Sequence, residues 1–176
     1  MSSLRTAAAF RQTERMKPTM RKNAMFRLFR VFFALVAMVS MTLVWAADTG
    51  TPAEAKAMLE KAVAELQKDP TAALTMFTEG AEGFKDRDLY VFCADAATGI
   101  TTAHGAKADR VGKVNMKESK DVDGKEYGKE FFAVATEGEL KEVAYKFPRP
   151  GEKDPSEKSA FITKVGDQIC GVGYYK

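Results

Sequence analysis

Histidine and tryptophan each occur once and cysteine twice in the 176 residues of this chain. One histidine and no Cys-x-x-Cys pair leave no ligand set for zinc, and no Cys-x-x-Cys-His stretch attaches a haem. Neither Gly-x-Ser-x-Gly nor a Cys–His arrangement is present, so acyl transfer through an activated nucleophile has no support. Gly166-Asp167 and Gly171-Val172-Gly173 read as a turn and a strand end, so no glycine loop cradles a phosphate. Carboxylates are numerous but scattered through charged loops, and no glycosidase pair stands out. The expectation is a protein that is not an enzyme, with no metal and no cofactor.

A comfortable membrane span is also missing. The uncharged stretch Val31–Ala47 falls short of the about 20 apolar residues a spanning helix needs. It follows Arg21, Lys22, Arg27 and Arg30 and ends in Val44-Trp45-Ala46-Ala47. A positive segment, an apolar segment and small residues at the cut describe a secretory signal peptide. Residues 1–46 are read as that signal, cleaved after Ala46, with 1–19 as an extension upstream of a start at Met20 or Met25. The alternative is an uncleaved single-span anchor. Either way the domain at 47–176 works outside the cytoplasm, periplasmic or secreted. That domain holds 19 basic and 23 acidic residues, a net charge of −4, so the chain's basic character belongs to the leader. A nucleic-acid partner is excluded, because phosphate binding needs a clustered excess of Lys and Arg.

Cys93 and Cys170 sit in separate strand-like runs. In an oxidising compartment such a pair forms a disulfide closing about 76 residues, worth roughly 2–4 kcal/mol. The alternative is two buried free thiols packed as small apolar groups.

Thr51-Pro52-Ala53-Glu54 is a helix start with a capping box, and Ala55, Met58, Leu59, Ala62 and Leu66 recur behind it at helical spacing. Asp69-Pro70 ends this helix and caps a second, carrying Ala73, Leu74 and Phe77, which Gly80 and Gly83 break. Leu89–Ala94 is apolar on both alternating faces and reads as a central strand. Ile100–His104 is its hairpin partner, residues 105–126 are polar and glycine-punctuated, and Tyr127–Thr136 reads as a short helix. Three strands follow, Leu140–Phe147, Lys158–Val165 and Gln168–Tyr175, with Pro148–Glu157 as a loop and Gly166-Asp167 as a tight turn. The fold class is α+β: a five-stranded antiparallel sheet, helices on one face, and the segment 105–137 as a lid over the other. A small pocket belongs under such a lid.

The order Asp88-Leu89-Tyr90-Val91-Phe92, Thr101-Thr102-Ala103-His104, Val111-Gly112-Lys113, Asp123-Gly124-Lys125, Val143-Ala144-Tyr145, Pro148-Arg149-Pro150, Lys158-Ser159-Ala160-Phe161-Ile162 and Val172-Gly173-Tyr174-Tyr175 resembles a single Cache domain. This is the PAS-like extracytoplasmic sensor module of bacterial chemoreceptors and sensor kinases, and the resemblance covers residues 51–176. It implies a PAS-like sheet behind a long N-terminal helix and a pocket for a small ligand, often a short organic acid. Family members usually run on into a membrane helix and a signalling region; this chain resembles the free-standing secreted type. Gly105 stands where proline is common and Phe161 where tyrosine is frequent, so a hydroxyl that would meet ligand is expected to be missing.

By that resemblance Lys158 is the ligand lysine, its ammonium turned to a carboxylate; the plainer reading is a solvated strand-end lysine paired with Glu157. Tyr145 shares an inward face with Val143 and Phe147, and its hydroxyl needs either the ligand or a backbone group. His104 sits at the pocket rim by resemblance, or makes a structural hydrogen bond. Phe92, Phe131 and Phe161 read first as core, with Phe92 and Phe161 foremost as the pocket's apolar wall. Arg87, between Asp86 and Asp88, is a solvated charge cluster or a carboxylate clamp. The amphipathic helix 52–68 packs on its own sheet, or offers a homodimer surface. The function expected is a sensor for a small carboxylate-like ligand, reporting to a membrane sensor kinase or chemoreceptor. The alternatives are a structural subunit of an envelope complex with a filled pocket, and an anchored receptor ectodomain.

Overall fold

The computed structural model describes residues 49–176; the signal segment 1–46, its extension and the anchor alternative lie outside the described residues. Helix α1 spans Pro52–Lys68. The Thr51 hydroxyl accepts from the Glu54 amide at 3.2 Å, and the Glu54 carboxylate accepts from the Thr51 amide at 2.7 Å. This reciprocal box satisfies two of the donors that a helix start leaves without partners. Asp69 closes α1 and caps α2 (Pro70–Glu79), accepting from the Thr71 and Ala72 amides at 3.0 Å each. Gly80 ends α2 in the left-handed conformation, φ 69°, where a side chain would be strained.

The strands are β1 (Lys85–Asp86), β2 (Leu89–Asp95), β3 (Thr101–His104), β4 (Lys141–Pro148), β5 (Pro155–Val165) and β6 (Gln168–Tyr175). The sheet runs β3–β2–β6–β5–β4, all antiparallel, with β1 added beside the start of β2. The first and last long strands, β2 and β6, pair with each other inside the sheet. β1 and the early start of β5 are additions to the five strands read from sequence. The β4–β5 ladder continues to Pro148 opposite Pro155, so four residues assigned to the loop, Pro148 and Pro155–Glu157, are paired strand. The lid contains two short 3-10 turns, Ala108–Arg110 and Met116–Glu118, and helix α3 (Tyr127–Val134). Asp121 ties lid to sheet: its carboxylate accepts from the Asp123 and Lys125 amides within the lid and from the Lys146 amide of β4.

Every residue of β2 from Leu89 to Ala94 is buried, as its two-sided apolar pattern requires. One face, with Val91, Cys93, Cys170 and Val172, packs against Ala55, Leu59, Ala62 and Phe77 of α1 and α2. The other, with Tyr90, Phe92, Val143, Tyr145 and Ile162, packs against Met116, Tyr127 and Phe131 of the lid. Cys93 and Cys170 are directly paired across β2 and β6 and form a disulfide. The outer face of α1 carries Lys56, Glu60, Lys61 and small residues, and no large apolar side chain on it is exposed. Among the described residues no helix is long and apolar enough to cross a membrane.

Candidate ligand-binding site

Lys158 enters from β5, opposite Tyr175 of β6, and is completely buried, not a solvated strand end. Its stem crosses the sheet over Gly173, where a Cβ would overlap the lysine Cε. Glycine at 173 is therefore what lets a long cation lie inside. The ammonium donates to the Tyr90 hydroxyl at 2.7 Å and the Tyr175 hydroxyl at 3.3 Å, and sits 4.1 and 4.5 Å from those two ring centres. Glu157, its sequence neighbour, turns to Lys146 instead. Among the described residues Lys158 forms no ion pair. Burial pushes its pKa well below the ordinary lysine value, and the charges of Arg149 and Lys107 add to this against the attraction of Asp88.

Above it lies a cavity of about 20 Å³ between sheet and lid, lined by Tyr90, Phe92, His104, Arg110, Met116, Tyr127, Phe131, Tyr145 and Phe147. That volume is on the order of one water. Lys158 does not line it; the Tyr90 side chain that the ammonium holds does. Three ring pairs stack, Tyr127 on Tyr145 at 4.5 Å, Phe92 on Phe131 at 5.6 Å and Tyr90 on His104 at 5.1 Å, and tilted or edge-on contacts join them.

His104 ends β3, and its Nδ1 accepts from the Lys107 amide at 3.1 Å and the Ala106 amide at 3.4 Å. The neutral ring therefore carries its proton on Nε2, which no acceptor engages among the described residues. Burial, reinforced by the charges of Arg110, Lys158 and Lys107, pushes the His104 pKa down to about 3 and keeps the ring neutral. Tyr145 is 5% exposed and among the described residues its hydroxyl has no protein partner; burial pushes its pKa up, so it stays a donor. Among the described residues Arg110 makes no ion pair, and its Nε is buried without a hydrogen bond. The guanidinium lies 5.8 Å from the Phe147 ring. Donors thus converge on this space from several elements, and no Asp or Glu lines it. A second, more open cleft of about 380 Å³ lies beside it and shares Arg110, Tyr127 and Phe147 with it.

Of the residues expected from sequence, His104, Tyr145, Phe92 and Phe131 line the cavity and Lys158 lies one side chain behind it. Phe161 is the correction. It lies on the other face, with its ring 5.9 Å from Tyr174, packed against the helix-side core. Strand side chains alternate, so residues 158 and 161, three apart, point to opposite sides. The absent hydroxyl at 161 consequently has no bearing on the cavity. Arg87 pairs with Glu54 and Asp86 away from this space. Sequence reading missed Arg110 and Met116, which sit in lid turns where no periodicity marks an inward side, and Tyr127, whose place one helical turn before Phe131 could have shown it. Tyr90 was visible only as one apolar residue in a buried run.

The profile of one protein family, Single Cache domain 2, matches residues 33–173. The chain belongs to the single Cache family. The fold of this Cache domain is shared with a methyl-accepting chemotaxis protein from Vibrio parahaemolyticus RIMD 2210633. The two are 19% identical over 85% of this chain and 96% of the other, with a TM-score of 0.58. A Cache chemosensory domain described for its carboxylic acid recognition is 16% identical, over 89% and 99% of the two chains, with a TM-score of 0.51. A periplasmic sensor domain of a chemotaxis protein is 19% identical, over 88% and 98%, with a TM-score of 0.52. No curated protein matches. Cache domains are extracytoplasmic, ligand-binding sensor modules and are non-catalytic.

Proposed function

We propose that this Cache domain is exported and binds a small organic acid in the aromatic cavity under its lid. Its ligand state would be read by a membrane sensor kinase or chemoreceptor. The single observation that supports this reading is the set of unengaged donors around one cavity that no carboxylate lines. Among the described residues Arg110 Nε is buried without a partner, His104 Nε2 and the Tyr145 hydroxyl beside the same cavity have no protein acceptor, and the buried Lys158 behind them has no counter-ion. Buried polar groups and charges left like this are costly, and an anionic ligand relieves the cost. In this reading Lys158 supplies the positive field, Tyr145 and His104 are polar partners, and Phe92 and Phe131 are walls. The solved Cache domain described for carboxylic acid recognition agrees in fold with such a ligand class.

A ligand of two to four carbons is larger than the about 20 Å³ present, so binding entails an outward shift of the lid side chains. The small volume also favours a second reading, a structural envelope subunit with a filled interior. A thermal-shift screen of C2–C4 carboxylates, amino acids and amines separates the two. A carboxylate that raises the unfolding midpoint in a dose-dependent manner supports the sensor; no shift with any compound leaves the structural subunit. Export with cleavage after Ala46 is tested by mass spectrometry of the mature protein, where an intact N-terminus would support the anchored form.

A further inference from the structure

Arg110 lines both the inner cavity and the outer cleft, and of the three residues that do so, with Tyr127 and Phe147, it is the only cation. Its turn is held to the end of β3 by the Lys107 amide on the His104 carbonyl at 3.2 Å and by the Arg110 amide on the Lys107 carbonyl at 3.1 Å. Its Nε is buried and unpartnered, and no carboxylate reaches the guanidinium within ion-pair distance among the described residues. Lys158, by contrast, is engaged by two tyrosine hydroxyls and does not line the cavity.

Resting on the reading of this cavity as a carboxylate site, we infer that Arg110 is the residue that grips the carboxylate directly, at the cavity mouth. Lys158 is a positioning residue that holds Tyr90 and Tyr175 in place from behind. A planar guanidinium presents two parallel donors to a carboxylate, which a recessed ammonium cannot do. The ligand then enters tail first. Its apolar end lies against Phe92, Phe131 and Met116, and its carboxylate stays at the mouth near Arg110. A ligand with an ammonium group on that tail is rejected, because no Asp or Glu lines the cavity to receive it.

The test is calorimetric titration of the wild-type domain with formate, acetate, propionate and butyrate, and with propionamide as the uncharged isostere of propionate. Arg110→Met, Arg110→Lys and Lys158→Met follow. Arg110→Met is expected to weaken binding of the carboxylates by about 30-fold or more and to abolish the preference for propionate over propionamide. Its ligand-free unfolding midpoint should not fall below the wild-type value. Arg110→Lys should fall between, and Lys158→Met should lose less than Arg110→Met. If the wild type binds none of the four acids, the carboxylate reading itself fails, and this inference with it. If the wild type binds and Arg110→Met keeps its affinity within threefold, or keeps the preference over propionamide, the cavity reading stands and the role of Arg110 is overturned. A larger loss in Lys158→Met than in Arg110→Met overturns it as well.

Discussion

The two faces of one sheet differ in what they bury. Under α1 and α2 the interior is Ala55, Leu59, Ala62, Phe77, Val91 and Val172 around the Cys93–Cys170 disulfide, with no buried Lys, Arg or His. Under the lid the same strands bury Lys158, His104 and the hydroxyl-bearing rings of Tyr90, Tyr127, Tyr145 and Tyr175. One residue's step along β2, from Cys93 to Phe92, passes from one environment to the other. The helix side is mostly close-packed apolar matter, with Ser159, Thr163 and the Tyr174 hydroxyl as its polar exceptions and no cation among them. The lid side places donors against rings at a cost in stability, and that cost is what a ligand can relieve. A sensor needs both: a rigid surface to define the strands and a strained surface to respond.

The sharpest break of this comparison is Phe77→Ala on the helix side, expected to lower the unfolding free energy by about 3–5 kcal/mol in urea titration. Phe131→Ala, beside the existing cavity, should cost less; equal losses would erase the distinction between the faces. Removing the disulfide as Cys93→Ala with Cys170→Ala should cost roughly 2–4 kcal/mol by the same measurement, and a null effect would mean that the helix side does not depend on its staple.

Lys158→Met should go the other way. Replacing a buried cation without a counter-ion by an apolar side chain of similar length raises stability by about 1 kcal/mol or more while weakening carboxylate binding. A loss as large as that of Phe77→Ala would show that the lid side is built for stability after all.

His104 sharpens the contrast through pH. It ionises near 6.5 when exposed and at about 3 in the fold. Below 6.5 the unfolded chain gains a proton that the folded chain refuses, so stability falls as pH drops from 6.5 towards 3. The slope from this group reaches about 1.4 kcal/mol per pH unit. His104→Gln should flatten that part of the profile relative to wild type, read by urea unfolding at pH 7, 5.5 and 4.5. Parallel profiles would remove His104 as a buried neutral group. The smallest effect belongs to Thr51→Ala, at about 1 kcal/mol through loss of the α1 cap, and it should leave carboxylate binding untouched.

Much of the frame was legible in the residues because it is local. The box at Thr51 and Glu54, the stop at Gly80, the two-sided burial of Leu89–Ala94 and the turn at Gly166 each follow from a few neighbouring side chains. The extra pairing of Pro155–Glu157 was not, since a charged, proline-bearing stretch becomes strand only when a partner continues beside it. Within the site, alternation placed Tyr145 inward with Phe147, and the same alternation carries Phe161 to the side opposite Lys158.

By itself, then, the amino-acid order determined the elements, their caps and the parity of each strand, because these depend on contacts a few residues apart. Tertiary structure alone decided that Lys158 meets Tyr90, 68 positions away, and that Arg110 reaches the cavity with its Nε unpartnered. Those meetings depend on register, on the room left by Gly173 and on how the lid settles over the sheet. No periodicity in a chain encodes which distant groups will be left without partners.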